Sequence, residues 1–363
     1  MAEEDAIWAL GCMSGTSMDG VDAALILTDG TEVFEFGATG YRPYTADERA
    51  VISAAQGCWP GAAGVAEAEA VIRQAHVELI ARFGGVALVG FHGQTLAHDP
   101  GGQGTHQIGD GAALARAVGL PVAWDFRAAD VAAGGQGAPL APFYHFALAR
   151  RKGEGPVAFL NLGGVGNVSF VNPLAAGPDA TGALLAFDTG PANALMDDFA
   201  RARTGLACDY GGALAGLGVV DQAIVADFMN MAYFRCKPPK SLDRNDFSEL
   251  AEAVADLTDT DGLATLAAAT IASVKAAFKY APKGIRKVLV CGGGRKNDHL
   301  MAGLGDALNL EVVNIDSEEL DGDMLEAQAF AYLAVRVRDG LSLSAPATTG
   351  VPKPVTGGRV SQP

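Results

Sequence analysis

The residue best placed for chemistry is a single acid, Asp188. It follows the apolar stretch 184–187 and precedes a Thr-Gly-Pro turn and a predicted helix at 192–204. An acid at the C-terminal end of a strand, beside the start of a helix, is a usual position for a catalytic base or a metal ligand. Aspartate also caps helices often. The sequence leaves both roles open for Asp188.

Small and acidic residues fill a turn between two apolar stretches near the N-terminus. Residues 13–22 read Met-Ser-Gly-Thr-Ser-Met-Asp-Gly-Val-Asp. Such a turn is able to expose backbone N–H groups to an anion, and Asp19 or Asp22 is suited to hold Mg²⁺ through water. Asp-Gly turns are also common for conformational reasons alone. An ordinary hairpin is therefore an equal alternative.

Two further glycine-rich turns follow apolar stretches. Residues 161–167 read Asn-Leu-Gly-Gly-Val-Gly-Asn, and residues 291–294 read Cys-Gly-Gly-Gly. The first is not a P-loop, because no Gly-Lys-Ser/Thr follows it. It is also not a convincing dinucleotide-binding fingerprint, because the next residues continue as a strand where such a fingerprint would begin a helix. The second would let a nucleotide base or ribose approach the backbone. Close packing of a helix on the sheet is the alternative for the second turn.

The elements that must position these residues are strands and helices in alternating groups. Strands are predicted at 7–13, 21–27, 33–38, 86–91, 121–124, 157–162, 168–171, 184–187 and 288–291. Helices are predicted at 47–55, 64–83, 192–204, 297–307 and 323–338. Both halves of the chain open with a strand, a glycine-rich turn and a strand, which indicates a repeated α/β unit. Residues 345–363 are rich in Pro, Gly and Thr and predict an irregular tail.

Bulk composition narrows the class of protein. A chain of 363 residues with 49% apolar and 19% charged residues is long enough for two folded domains. The formal charge of −16 argues against a non-specific nucleic-acid surface. The 5 cysteines lack a CxxC pair and indicate a reducing compartment. With an acidic N-terminus and no uninterrupted apolar run of about 18 residues, the sequence predicts a cytoplasmic protein without a membrane partner.

Taken together, seven blocks in order resemble the anhydro-N-acetylmuramic acid kinase family. They are residues 15–22, His-Gly-Gln-Thr at 92–95, residues 125–127 with 134–140, residues 161–164, residues 187–191, Pro-Pro-Lys-Ser at 238–241, and residues 291–294. Thr-Thr-Gly at 348–350 also fits, so the resemblance covers nearly the whole chain. The chain departs from the family at Ala192, where Gly is usual, and at 242–247, where Thr-Gly-Arg-Glu is more common.

The resemblance implies an α/β fold with two ribonuclease-H-like domains, as in actin-like ATPases, around a central nucleotide cleft. The predicted boundaries are 1–130 for the N-terminal domain, 131–345 for the C-terminal domain and 346–363 for the tail. The implied nucleotide-binding residues are Gly15, Thr16, Ser17, Met18, Asp19, Gly20, Val21 and Asp22 in the first turn, Gly163, Gly164, Gly166 and Asn167 in the second, and Gly292, Gly293 and Gly294 beside the adenosine. Asp19 and Asp22 are predicted to hold Mg²⁺.

The implied activity uses ATP and water on 1,6-anhydro-N-acetylmuramic acid. It opens the anhydro bridge and phosphorylates O6, giving N-acetylmuramic acid 6-phosphate and ADP during peptidoglycan recycling. Asp188 is predicted to be the base that activates water, and the predicted substrate-binding residues are His92, Arg127 and Glu326.

Several alternatives to these assignments stay open. Arg127 is expected to meet the lactyl carboxylate of the sugar, unless it forms an ion pair with Asp125 or Asp130. His92 either faces a cleft or is a hydrogen-bonded structural histidine. A levoglucosan-type kinase and a non-catalytic ATP-binding regulator are the alternative functions. The expected partner is the small-molecule sugar, with a homodimer left open.

Overall fold

A computed structural model describes residues 5–15, 17–242 and 244–363. Over these residues the strands are β1 (Ile7–Met13), β2 (Gly20–Thr28), β3 (Val33–Pro43), β4 (Leu88–Phe91), β5 (Gln94–Asp99), β6 (Gly104–Ile108), β7 (Val122–Trp124), β8 (Val157–Leu162), β9 (Val165–Val171), β10 (Leu184–Pro191), β11 (Lys287–Cys291), β12 (Glu311–Asn314), β13 (Ser342–Ser344), β14 (Val355–Thr356) and β15 (Arg359–Ser361). The α-helices are α1 (Ala46–Ala54), α2 (Val65–Ile80), α3 (Gly111–Val118), α4 (Ala128–Ala132), α5 (Pro142–Lys152), α6 (Asn193–Thr204), α7 (Gln222–Phe228), α8 (Ser248–Ala253), α9 (Asp259–Ala277), α10 (Asp298–Leu308), α11 (Leu325–Arg338) and α12 (Pro346–Thr349).

The first compact unit, unit 1, consists of Met1–Gly153, Ala175–Ala183 and Met324–Pro363. Its main sheet has the order β15-β7-β4-β1-β2-β3. Strands β1, β2 and β3 are antiparallel neighbours, whereas β4 runs parallel to β1 and β7 runs parallel to β4. Apolar side chains of β1 and β4 join the core that α2 and α3 form. This sheet therefore presents the β1–β2 turn at the end where β4 and β7 finish.

Helix α11 lies directly on the backbone of β1 and β4. A Cβ added to Gly11 would lie 1.8 Å from the carbonyl oxygen of Ala327, and one added to Gly90 would lie 2.2 Å from that of Phe330. Any side chain at either position would push the helix away, so only glycine permits this approach. Successive side chains of a strand point to opposite faces. Helix α11 therefore covers the face opposite to α2, and this placement fixes Glu326 in its first turn.

The second compact unit, unit 2, consists of Glu154–Leu174 and Leu184–Asp323. Its sheet has the order β10-β9-β8-β11-β12. Strands β8, β9 and β10 are antiparallel neighbours, and β11 and β12 continue parallel to β8. The same order, β3-β2-β1-β4-β7, occurs in unit 1. The predicted α/β class with two ribonuclease-H-like units is confirmed.

Helix α9, in unit 2, is long and rich in apolar residues. By length and composition the stretch Asp259–Tyr280 passes for a membrane span, but 61% of its most apolar window is buried. Its residues Leu263 and Leu266 join one core cluster, and Val274 and Ala277 join another. A helix at the centre of a folded unit has the same composition, and α9 is such a core helix.

The C-terminal residues are ordered, in contrast to the irregular tail expected from their composition. Strand β15 pairs with β7, and the indole nitrogen of Trp124 donates to Ser361 Oγ at 3.0 Å. Strand β14 pairs with β13. Because α11 and the strands after it return to the first sheet, the predicted boundaries after residues 130 and 345 both fall inside unit 1. The composition of residues 345–363 does not reveal that β7 is the strand with which β15 pairs.

Candidate active site

Asp188 lies in β10, at a shift in the register with β9. Its side chain is half-buried, and its Oδ2 accepts a hydrogen bond from the backbone N–H of Leu242 at 2.8 Å. Helix α6 begins after Ala192, with no side-chain cap. Asp188 therefore does not cap the helix that follows it, and the structural alternative from the sequence is not observed.

The environment of Asp188 favours proton transfer near neutral pH. Burial raises the pKa of its carboxyl to about 6, and the N–H of Leu242 opposes that rise by stabilising the carboxylate. At pH 7 such a group is deprotonated and is a better base than an ordinary aspartate. A perturbed pKa of this kind is common in catalytic carboxylates.

The second glycine turn, Gly163–Gly164, joins β8 to β9 in unit 2. The backbone N–H of Asn193, at the start of α6, donates to Gly163 O at 2.8 Å. A Cβ on Gly163 would lie 3.4 Å from Asn161 Oδ1, and one on Gly164 would lie 3.5 Å from the Cβ of Ala194. Both distances allow a side chain, so packing inside unit 2 does not require these two glycines. Their backbone leaves room for a ligand to approach.

The other glycines of unit 2 that were predicted to bind nucleotide have a packing role. A Cβ on Gly166 would lie 2.6 Å from Thr189 Oγ1, and one on Gly292 would lie 2.3 Å from Asn161 Oδ1. Gly293 and Gly294 similarly abut Asn193 and Leu162. These contacts hold the end of β11 against the end of β8, as the close-packing alternative expected. Asn167 lies in β9, opposite Asn161 and Asp188. A role beside adenosine stays a prediction for Gly292, Gly293 and Gly294.

In unit 1 the β1–β2 turn is held in place by hydrogen bonds that involve buried polar side chains. Ser14 Oγ forms hydrogen bonds with Tyr44 Oη at 2.8 Å and with Gln94 Oε1 at 2.5 Å. Gln94 Nε2 donates to Gly15 O at 3.1 Å, and Met18 N donates to the same oxygen at 3.1 Å. The His-Gly-Gln-Thr block thus supports the turn through Gln94. Thr16, also predicted to bind nucleotide, lies outside the described residues.

The acidic residues of the β1–β2 turn, Asp19 and Asp22, are more accessible to solvent than Gly20 and Val21 between them. Asp19 is exposed and accepts a hydrogen bond from Ser17 Oγ at 2.8 Å, whereas Asp22 is half-buried in β2. Burial raises the pKa of the Tyr41 hydroxyl, and the negative charges of Asp19 and Asp22 raise it further. Gly20 is pressed against Arg42 O, since a Cβ there would lie 2.5 Å away, and Val21 is fully buried. A metal-ligating role for the carboxylates of Asp19 and Asp22 stays a prediction.

The predicted substrate-binding residues His92, Arg127 and Glu326 all belong to unit 1. Arg127 donates through Nε and Nη2 to His92 Nε2, at 3.2 and 3.0 Å, and through Nη1 to Gly137 O at 2.7 Å. Arginine only donates, so His92 Nε2 must accept, and Nδ1–H then donates to Gly93 O at 2.9 Å. Burial, followed by the Arg127 charge, holds the pKa of His92 well below its usual range. His92 is neutral and orients Arg127.

Glu326 is the third residue of this group, and its charge interacts with that of Arg127. Burial raises the pKa of its carboxyl, and the Arg127 guanidinium opposes that rise. Burial also lowers the pKa of Arg127, and Glu326 is the largest charge that opposes this change. Although protein atoms surround its carboxyl, Glu326 remains exposed to solvent.

The two aspartates expected to pair with Arg127 have other partners. Asp125 forms a 2.6 Å ion pair with Arg359. Asp130 is buried and accepts from Gly137 N and Thr349 Oγ1, both at 2.6 Å, and from Ser344. The ion pairs of Arg127 with Asp125 or Asp130 are not present among the described residues. Two N–H groups of the guanidinium are left over from its bonds to His92 and Gly137, so Arg127 retains donors for a ligand.

The turn in unit 1 yields a prediction about Gly15. A Cβ there would meet Ser17 Oγ at 3.6 Å as its nearest described neighbour outside the adjoining residues, so a side chain fits without unfolding the protein. We expect Gly15→Val to keep the melting temperature and to raise KM for ATP about 10-fold or more, because the side chain would block charge-assisted bonds between backbone amides and phosphate.

The matched control for this prediction is Gly84→Val, where no atom of the described residues, apart from the adjoining ones, lies within 4 Å of an added Cβ. Steady-state kinetics and thermal melting of both variants make the comparison. A KM for ATP that stays at the wild-type value in Gly15→Val would contradict the phosphate role of this turn.

Two ribonuclease-H-like units, each opening with a glycine-rich hairpin, define the actin-like ATPase class of fold. A family model described as anhydro-N-acetylmuramic acid kinase matches residues 7–362. The chain belongs to this family.

Relatives that carry the family's name match the chain along its whole length. The anhydro-N-acetylmuramic acid kinase of Cereibacter sphaeroides is 60% identical, over 100% of this chain and 98% of its own. The protein named anhydro-N-acetylmuramic acid kinase 1 of Jannaschia sp. is 55% identical, over 98% and 96%. That of Rhodospirillum rubrum is 50% identical, over 98% and 94%.

The sequence did not predict the residues that support the site. Gln94 lies in a block that the resemblance singled out without a role, and the same holds for Lys240 in the Pro-Pro-Lys-Ser block. Tyr233 and Asn193 carried no signal in the sequence. All four act through hydrogen bonds to backbone groups distant in the chain.

Proposed function

We propose that this protein is an ATP-dependent anhydro-N-acetylmuramic acid kinase. It opens 1,6-anhydro-N-acetylmuramic acid with water, phosphorylates O6, and releases N-acetylmuramic acid 6-phosphate and ADP. Family membership supports the substrate class. The observation that carries the mechanism is Asp188, a half-buried carboxylate with one oxygen held by Leu242 N–H and a pKa of about 6.

The reaction needs a base because water must attack a carbon. The water oxygen bonds to the anomeric carbon and gives its proton to Asp188, while the bond from that carbon to O6 breaks. O6 then bonds to the γ-phosphorus as the bond to ADP breaks. General-base help of this kind contributes about 10²–10⁴-fold to the rate. Asp188 Oδ2 is engaged by Leu242, so Oδ1 is the oxygen we assign to the water proton.

The phosphates of ATP require positive partial charge rather than side-chain chemistry. In unit 1 the β1–β2 turn is proposed to supply backbone amides, and in unit 2 the Gly163–Gly164 turn is proposed to do the same. Both turns have glycines that packing inside their own unit leaves free to meet a ligand, Gly15 in the first and Gly164 in the second.

The acidic residues of the β1–β2 turn fit Mg²⁺. No group of three or more His, Cys, Asp or Glu side chains able to hold a metal occurs among the described residues. Mg²⁺ in kinases is commonly bound by one or two carboxylates together with substrate phosphates and water, which Asp19 and Asp22 satisfy. Bound there, the ion would neutralise charge on the phosphoryl oxygens. Homodimer formation and a cytoplasmic location stay predictions of the sequence.

The test of this function is ADP release by the purified full-length protein with ATP and Mg²⁺. We expect turnover with 1,6-anhydro-N-acetylmuramic acid, a product with phosphate on O6, and at least 100-fold lower kcat/KM with levoglucosan. A 100-fold difference in kcat/KM corresponds to about 2.7 kcal/mol, which lies within the ~1.5–3 kcal/mol that one missing hydrogen bond to a charged group is worth. Equal use of levoglucosan would indicate a plain anhydro-sugar kinase. ATP binding without turnover of either sugar would indicate a regulator.

A further inference from the structure

A segment of unit 2 to which the family resemblance assigns no role, residues 233–242, lies along Asp188. Three hydrogen bonds join the segment to this one residue. The hydroxyl of Tyr233 donates to Asp188 O, the N–H of Asp188 donates to Lys240 O at 3.1 Å, and the N–H of Leu242 donates to Asp188 Oδ2 at 2.8 Å. The segment thus contacts the amide, the carbonyl and the carboxylate of the same aspartate.

These contacts take the place of a neighbouring strand on the open side of β10. β10 is one of the two edge strands of its sheet, and its neighbour β9 pairs with it on one side. The open side of an edge strand leaves N–H and C=O groups without ladder partners. At Asp188 the segment 233–242 supplies those partners, so the position of the base is set from this side as well as by the sheet.

The side chain of Lys240 joins the two ends of the segment 233–242. Its Nζ donates to the carbonyl oxygen of Tyr233 at 2.8 Å and lies 4.0 Å from the centre of the Tyr233 ring. A cation over an aromatic face, combined with a hydrogen bond from the same ammonium group, holds the two ends of the segment together. Further along, Tyr280 Oη donates to Cys236 O at 3.0 Å.

The strand beyond Asp188 is also restrained by α9. A Cβ on Gly190 would lie 2.6 Å from the Cβ of Ser273 in α9, so the strand beyond Asp188 is pressed onto the core helix. The strand cannot move toward α9. Motion of the carboxylate therefore depends on the bonds made by the segment.

We propose that residues 233–242 position the catalytic base, with Tyr233 and Lys240 as positioning residues. This inference rests on the proposed function, in which Asp188 activates water. A small displacement of a catalytic group from its productive geometry lowers the rate strongly while substrate binding is kept. The segment therefore acts on kcat through Asp188, without itself touching the reacting atoms.

The test is Tyr233→Phe in the full-length protein, with Tyr332→Phe, in unit 1, as the matched control. Both changes delete one phenol hydroxyl that donates to a backbone carbonyl and keep the ring, and only Tyr233 bonds to Asp188. We expect Tyr233→Phe to lower kcat about 10-fold with KM for ATP and sugar within about 2-fold. Tyr332→Phe is expected to keep the wild-type kcat. Thermal melting verifies that both variants are folded.

The pH profile supplies a second readout. If the segment loosens, the Leu242 N–H bond to the carboxylate weakens, and the acidic limb of the kcat profile moves to higher pH in Tyr233→Phe. The groups that act on Tyr233 by charge are Asp188, Cys236 and Asp246, and none is altered in either variant. Lys240→Met, which deletes the bond to Tyr233 O, is expected to lower kcat in the same way.

The outcomes separate this inference from the proposed function. Wild-type kcat and an unmoved acidic limb in Tyr233→Phe would overturn the positioning role, as would equal losses in both phenylalanine variants. In either case Asp188→Asn, measured in parallel, still reports on the base. Retained turnover in Asp188→Asn would reject the base assignment and the positioning role together.

Discussion

Replacing Asp188 by asparagine is expected to lower kcat by about 10²–10⁴-fold, the contribution of a general base, while KM for ATP changes by a few-fold at most. The change keeps the size of the side chain and its acceptor toward Leu242 N–H, but removes the ability to take a proton. Because Asp188 does not cap α6, no loss of helix stability should accompany the substitution. Steady-state kinetics and thermal melting of the variant test both statements.

The matched control is Asp197→Asn, because burial raises the pKa of Asp197 to about 6 as well. A base must be ionised, so wild-type kcat should fall as the pH drops through about 6, the pKa of Asp188. If Asp188 is the base, Asp197→Asn keeps both the turnover and this acidic limb. Loss of the limb in Asp197→Asn, with turnover kept in Asp188→Asn, would place the titrating group elsewhere.

Replacing Arg127 by alanine is expected to weaken kcat/KM selectively for the sugar that carries a lactyl carboxylate. A hydrogen bond to a charged group is worth about 1.5–3 kcal/mol, which corresponds to about 10–150-fold. The guanidinium is oriented by His92 and Gly137, and donors remain for the planar recognition of a carboxylate. The measurement compares the muramic acid substrate with an analogue that lacks the lactyl group.

Arg359→Ala provides the control for loosening of the same backbone segment. It removes the ion pair with Asp125, two residues before Arg127, and leaves the Arg127 side chain in place. We expect this variant to treat both sugars as the wild type does. A loss of equal size on both sugars in Arg127→Ala would assign the residue to the scaffold that holds Gly137.

Much of the candidate site was predictable from the sequence because its signals are local. Apolar stretches such as 7–13 and 157–162 that end in glycine-rich turns identify both hairpins, and β1 and β8 have the predicted bounds. The position of Asp188 after an apolar stretch marked it as a candidate base. The ordered series of blocks identified the family, since those residues can be read without knowledge of their partners.

The class of each element, the turns and the candidate base follow from the residue types along the chain. The packing of the whole chain sets what surrounds them. Tyr233 and Leu242 are 45 and 54 residues from Asp188 in the chain, and no periodicity connects them to it. The return of α11 to the first sheet depends on Gly11 and Gly90 leaving room for a helix, and the return of β15 depends on its pairing with β7. Neither can be read from the residues themselves. Patterns of residue type report local conformation and burial, whereas the pairing of distant backbone groups is settled only when the whole chain packs.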